Sequence, residues 1–231
     1  MKKPALLLFM ALCLALPVLG DEPFVRNHGN ITRVAASANL RAQLDGARDG
    51  WIGYALPLAE SRSIICRNYN EWIGEDEEGR TNVVQLFFHV ENGRIENLKI
   101  AAPLCVLDAK KEAVTWISGV EERAAVTTLI DVARRHGDSD IRQKALFWLS
   151  QQAGAKAVAA LENAVDNDPE EKVKVRAVFG LSQLPDDQSI PILVRLMKTH
   201  RIPEVRKKAA FWLGQKNDPR ALAAIEDVLL H

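Results

Sequence analysis

Catalysis or metal binding needs nucleophiles, acid–base groups or ligands that the fold can gather, and this chain offers few. The candidates are Cys13, Cys66 and Cys105, the histidines His28, His89, His136, His200 and His231, and the acidic run Glu75-Asp76-Glu77-Glu78-Gly79. No two histidines have the spacing that places ligands on one face of a helix, and no Cys-x-x-Cys is present. A Gly-rich phosphate loop and a nucleophile–base pair are also missing. The acidic run lacks the alternating oxygen ligands of an EF-hand loop and reads as a solvated loop rather than a calcium site. The sequence therefore predicts no catalytic residue, no metal and no cofactor, and function must be sought in surfaces.

The elements carrying those surfaces are bounded by composition. The 231 residues hold 30 basic and 30 acidic side chains and are 48 % hydrophobic, enough for one or two domains with a real core. A balanced charge lacks the basic excess with which nucleic-acid binders hold phosphates. Lys2 and Lys3 precede an apolar run from Ala5 to Leu19, with Val18 and Gly20 as the small residues a signal peptidase accepts. Residues 1–20 thus read as a cleaved secretory signal. The run is shorter than the ~20 apolar residues of a spanning helix, and Pro17 interrupts it, so no integral membrane segment is expected. Leu12 before Cys13, where a lipoprotein has a small residue, argues against lipidation. Export would carry the chain across an inner membrane, to a bacterial periplasm. An oxidising compartment favours pairing Cys66 with Cys105 over a reactive thiol, because neither has a neighbouring base in sequence.

The second half is periodic. Ile141-Arg-Gln-Lys-Ala-Leu-Phe-Trp-Leu-Ser-Gln151, Val173-Lys-Val-Arg-Ala-Val-Phe-Gly-Leu-Ser-Gln183 and Val205-Arg-Lys-Lys-Ala-Ala-Phe-Trp-Leu-Gly-Gln215 follow one another at steps of 32 residues. Ala113, Trp116, Ile117 and Ser118 suggest a weaker first copy beginning at Ala109. The second half of each unit keeps the step: Val126, Val158, Ile190 and Leu222 align, as do Leu129, Leu161, Leu193 and Ile225. Ile141, Ala145, Trp148 and Leu149 fall on one arc at 100° per residue, and Asp168-Pro169 and Asp218-Pro219 carry helix-start signals. Each unit predicts two helices, and stacked units bury what one cannot bury alone. The pattern resembles the HEAT repeat family, in particular the short HEAT-like repeats related to those of phycobilisome lyases. Its V-R-x-x-A-x-x-x-L core stands most fully at Val205, Arg206, Ala209 and Leu213. The resemblance covers about residues 109–231 and implies an α-solenoid of about four helix pairs. It implies no single function. Deoxyhypusine hydroxylase, similar in architecture, holds iron with His-Glu pairs, and no histidine here adjoins a glutamate. Bilin lyases serve pigment proteins, to which nothing in an exported chain points.

If the second helix of each unit lines a concave side, equivalent positions form columns. One is Asp131, Asn163, Arg195 and Asp227; the next is Arg134, Asp166, Lys198 and Leu230. Mixed charge of this kind suits a protein or peptide partner, although any solvated helix carries such residues. On the first helices the column Thr115, Phe147, Phe179, Phe211 reads either as packing between repeats or as an exposed apolar stripe, beside the basic column Lys144, Arg176, Lys208 with Glu112 at its head. The apolar Leu229-Leu230 before His231 suggests a contact with a partner or a second copy.

Residues 21–108 carry 9 basic and 13 acidic side chains, a net of −4, against +2 for 109–231 (19 and 17), and read as a small β-rich domain. Val83–Val90 and Ile95–Ala102 flank Asn92-Gly93, a strong hairpin signal, and a two-residue loop would set His89 opposite Glu96. Gly50–Pro57 reads as another strand, and residues 31–48 as one helix, in a sheet of about four strands. The whole also resembles secreted bacterial proteins that contain HEAT repeats. The function expected is a non-enzymatic scaffold or adaptor outside the cytoplasm, holding another envelope protein. The alternative is an enzyme or enzyme subunit, lyase or hydroxylase in type, with a cleft lined by Arg62, Arg67 and the acidic run.

Overall fold

A computed structural model describes residues 22–63, 80–102, 106–152 and 154–230. The proposed signal, Cys13, Cys66, Cys105, Arg67, the acidic run and His231 lie outside the described residues. The order is β1 (Val25–Arg26), β2 (Ile31–Ala35), α1 (Leu40–Asp45), β3 (Gly50–Ser63), β4 (Arg80–Glu91), β5 (Arg94–Ala101), β6 (Leu107–Asp108), β7 (Val114–Ser118), then α2 (Glu122–Arg135), α3 (Ser139–Ser150), α4 (Ala155–Asn167), α5 (Glu171–Ser182), α6 (Asp186–Thr199), α7 (Pro203–Gly214) and α8 (Pro219–Leu230). A run of helices therefore follows a β-rich region. Among the described residues no helix is long and apolar enough to cross a membrane.

The main sheet has the order β2-β7-β3-β4-β5, with β7 parallel to both neighbours and the rest antiparallel. Its strands alternate between two cores. Ile52, Tyr54, Leu56, Val84, Leu86 and Phe88 face α1 and the helix array, whereas Trp51, Phe87, Val114 and Trp116 face a smaller cluster with Phe24 and Val25. At Gly53 any Cβ would sit 2.5 Å from the Phe87 ring. Phe87 and Trp116, on the strands either side, close over that gap with ring centres 5.8 Å apart.

Three expectations are corrected. The weak first copy of the repeat is no helix at its start: Val114-Thr-Trp-Ile-Ser118 is β7, inserted between β2 and β3. Its β-branched residues and the burial of Val114, Trp116 and Ile117 suit a central strand, so Thr115, Trp116 and Ile117 belong to the sheet and the β-rich part runs to Ser118 rather than Asp108. Residues 31–48 are not one helix either. Ile31–Ala35 pairs with β7, and only Leu40–Asp45 is helical, capped by the Asn39 side chain accepting the Ala42 N–H. In the hairpin, Asn92 and Gly93 take the positive φ of a tight turn, but a bulge after His89 sets it opposite Asn97, not Glu96.

Helices α3, α5 and α7 stack in one layer and α2, α4, α6 and α8 in another, as contacts between α3 and α5, α5 and α7, α2 and α4, and α6 and α8 show. The recurrent residues explain the stacking. Ile141, Val173 and Val205, then Ala145, Ala177 and Ala209, then Leu149, Leu181 and Leu213 are all buried at 0–2 % exposure. The alanines let helix axes approach closely while the larger pair fills the space between layers. A single apolar core runs from Leu40 on α1 through the sheet to Ala221 on α8.

Candidate protein-binding surface

The basic residue at the second position of each V-R motif closes the helix before it. Arg142 donates through Nη1 to the carbonyls of His136 and Gly137 at 2.8 and 3.0 Å, past the end of α2. Lys174 does the same to Val165 and Asp166 at the end of α4, both at 2.8 Å, and Arg206 to His200 and Arg201 after α6. These cations meet carbonyls that a helix C-terminus leaves without partners. Burial pushes the Lys174 ammonium below the ordinary lysine range. Arg142 also grips Asp168 with two parallel hydrogen bonds, Nε to Oδ2 at 2.8 Å and Nη2 to Oδ1 at 3.0 Å, in a site closed to solvent.

The position five residues before each of these motifs repeats as well. His136, Asp168 and His200 accept the N–H two residues on, from Asp138, Glu170 and Ile202. Because His136 Nδ1 accepts, its hydrogen sits on Nε2, which donates to the Ile95 carbonyl of β5 at 2.8 Å. Lys144 on α3 adds a 2.8 Å bond to Asn97. These contacts fasten the first helices to the sheet edge. Asp168 is the helix-start acceptor expected before Pro169, whereas the roles of His136, His200 and the three cations are not among the sequence expectations, although their 32-residue recurrence carries the signal.

On the layer of second helices, the charged columns are cross-linked along the stack. Asp131 on α2 meets Arg41 of α1 at 3.3 Å and Arg135 at 3.1 Å. Arg195 on α6 reaches back to Glu162 on α4 at 2.8 Å, and Lys198 reaches forward to Asp227 on α8 at 2.5 Å. Arg134 and Asp166 are exposed, Asn163 is half-buried, and Leu230 is 79 % exposed. The structure thus sets the two columns on one polar wall, in which ion pairs join α1 to α2 and link α4, α6 and α8, while none among the described residues joins α2 to α4. Its charges alternate and bridge neighbouring helices.

The first-helix layer differs. Phe147 is buried, Phe179 half-buried, and their rings stack nearly parallel at 6.3 Å, with the Arg176 guanidinium 4.7 Å over one and 5.0 Å over the other. Trp212 closes on Phe179 at 5.1 Å. Phe211 alone of the three stands out, 53 % exposed. Lys208 lies 3.8 Å from Glu204, and Glu112 at the head of its column is on the loop before β7, not on a helix. Lys172 bridges to Asp140 at 2.9 Å and holds that carboxyl below the ordinary carboxylate range.

Residues 158–231 match the HEAT repeats family. The match begins within α4 and runs to the end of α8, and α2 and α3 continue the same two-layer helix stacking ahead of it. No curated protein matches the chain. HEAT repeats in general mediate contacts between proteins. In this solenoid the wall is the face whose polar groups are held at fixed spacing by their neighbours.

Away from the solenoid, the one histidine flanked by carboxylates among the described residues is His89. It rests on the Trp51 ring at 4.6 Å, its Nε2 lies 2.5 Å from Glu112 and its Nδ1 3.3 Å from Glu91. The shallow hollow beside it, about 260 Å³, is lined by Asp49, Gly50, His89, Val90, Glu91, Glu112 and Ala113. Of these contacts only that between Nε2 and Glu112 is a hydrogen bond, and Glu91 stands beside Nδ1 as a charged neighbour. Among the described residues no group of three or more His, Cys, Asp or Glu is arranged to hold a metal.

Proposed function

We propose that this protein is a non-enzymatic scaffold or adaptor that works outside the cytoplasm and holds another envelope protein, or a peptide segment of one, on the wall of its HEAT solenoid. The observation that carries this reading is the cross-linked wall itself. Asp131, Glu162, Arg195, Lys198 and Asp227 stand at positions fixed by ion pairs between helices. A partner meets charges whose conformational freedom is already spent, which favours specificity and register over raw affinity. The core that runs from the sheet into the solenoid backs the wall from behind. The signal-like residues 1–20 motivate the compartment, and the Cys66–Cys105 pairing goes with it.

The test is cross-linked affinity purification from the cell envelope, comparing wild type with Arg195→Glu/Lys198→Glu. Because these residues pair with Glu162 and Asp227, reversal turns two attractions into repulsions on a solvated surface, and the fold should hold. A partner captured by wild type, lost from the variant, and shown with purified proteins to bind directly supports the scaffold. Retention of that partner by the folded variant moves the binding face elsewhere. Capture of nothing by either form sinks the reading. Among the described residues no specific observation favours the enzyme alternative, whose Arg67 and acidic run lie outside them.

A further inference from the structure

Three positions 32 residues apart do one job with two chemistries. Asp168 Oδ1 accepts the Glu170 N–H at 2.9 Å, while at His136 and His200 the acceptor is an imidazole Nδ1, 3.1 Å from the N–H of Asp138 and of Ile202. A carboxylate keeps accepting well below neutral pH, whereas an imidazole that takes a proton becomes a donor at both nitrogens. The neighbours change with the acceptor. Asp168 receives two hydrogen bonds from Arg142, 26 residues before it, and the buried charges offset each other. The residue in the same register to His200 is Lys174, 3 % exposed. One unit further on, the junction therefore matches a buried cation with an imidazole in place of a carboxylate.

His200 is 9 % exposed at the corner where α6 ends and α7 begins. The charged groups around that corner are mostly cations. Arg206 of α7 donates to the His200 carbonyl at 2.8 Å, Arg201 follows in the chain, and Lys174 of α5 closes the end of α4. Burial and then Arg201 push the Lys174 ammonium below the ordinary lysine range, against the opposing pull of Asp168 and Asp166. On α6 itself Lys198 is engaged by Asp227 of α8, and Glu204 of α7 lies beside Lys207 and Lys208. The carbonyls at the end of α6, which favour positive charge, are already met by Arg206. A proton on Nδ1 would remove the acceptor of the Ile202 N–H, set two donors against each other, and add a charge among Lys174, Arg201 and Arg206.

We propose that the α6–α7 corner is an acid-sensitive joint: with His200 neutral it locks the α7–α8 pair onto the solenoid, and protonation of His200 releases that pair. The sign follows from the geometry. Stability falls with pH wherever the open form binds more protons, so the lock is complete above the ordinary imidazole range and is lost as pH falls through it. An imidazole set free in the open corner, titrating near 6.5, weakens the lock about tenfold at pH 5.5 and hardly at all at pH 7.5. His136 shares the acceptor role but keeps its Nε2 bond to Ile95 when protonated, so the sheet end stays fastened in acid. Release of α8 parts Asp227 from Lys198 and opens one end of the wall. The joint needs no partner to operate and stands apart from the scaffold reading.

The test is native-state amide exchange of the full chain at pH 7.5 and 5.5, corrected for the intrinsic pH dependence of exchange and read as protection of α7 relative to α5. Wild type is expected to lose about tenfold of that relative protection at pH 5.5. His200→Asn, whose side-chain oxygen can accept as Asp168 does, is expected to lose none, and His28→Asn, at an exposed histidine, to behave as wild type. Nitrogen shifts of the His200 ring in wild type give a second reading that needs no variant: the hydrogen is expected on Nε2 while the corner is closed. An unchanged wild-type ratio, a folded His200→Asn that still loses protection tenfold, or an imidazolium at pH 5.5 with α7 fully protected would each overturn the joint. Partner capture plays no part in these readings, so failure of the scaffold would leave the joint standing.

Discussion

The two ends of the helix array meet opposite fates although their helices carry the same pattern. At the first, the sheet stands where a preceding unit would: β5 edges onto α3, α1 onto α2, and Trp148 is 1 % exposed. At the second, α7 and α8 repeat the same apolar positions with nothing packed beyond them among the described residues, and Trp212, the counterpart of Trp148, is only half-buried. The difference teaches that apolar identity at a repeat position records the lattice of units, while its energy depends on the neighbour that arrives. A HEAT unit stacked on a sheet gains the closure that a polar capping repeat gives elsewhere.

Substitutions at matched positions turn that comparison into measurements of melting or denaturant midpoint. Trp148→Ala should cost roughly 3–5 kcal/mol, because it opens a cavity at the closed end, whereas Trp212→Ala should cost about half as much or less. Equal costs would erase the distinction between the ends. Arg142→Leu should follow at about 3 kcal/mol, since it strands the Asp168 carboxylate and two carbonyls in a dry site, while Arg206→Leu, with no buried carboxylate partner, should cost about 1 kcal/mol. Gly180→Ala should cost roughly 1–2 kcal/mol, because its Cβ would lie 2.7 Å from Leu161 Cδ2, whose flexible end can yield only in part. His136→Ala should cost about 1 kcal/mol, and its sharper readout is faster amide exchange at β5, to which only the closed end is fastened. Arg195→Glu/Lys198→Glu should change stability least, by less than about 1 kcal/mol, and act on partner capture instead.

Much of the helical half was legible because its signal recurs: Ala145, Ala177 and Ala209 with Leu149, Leu181 and Leu213 return at one step. The same signal misled at Ala113-Val-Thr-Trp-Ile-Ser118. Over six residues a helical arc through Ala113, Trp116 and Ile117 and a strand alternation through Val114 and Trp116 are both satisfied, so periodicity alone cannot choose. What decides is pairing with Ile31–Ala35 and Trp51–Gly53, far away in sequence. The wall columns were visible as a register, but their cross-links were not. Arg195 pairs with Glu162, one residue off the repeat step, because inclined neighbouring helices offset the contact. Exposure at Leu222 and Leu229 was equally hidden, since the residues themselves match their buried counterparts.

Native-state hydrogen exchange of the chain tests most directly whether one end is closed and the other open. A closed first end requires amides of α2, α3, β3 and β4 to exchange only through global unfolding, with one shared free energy, while those of α8 open at far lower cost. Independent, low-cost opening of α2 and α3 with the sheet still protected would contradict it.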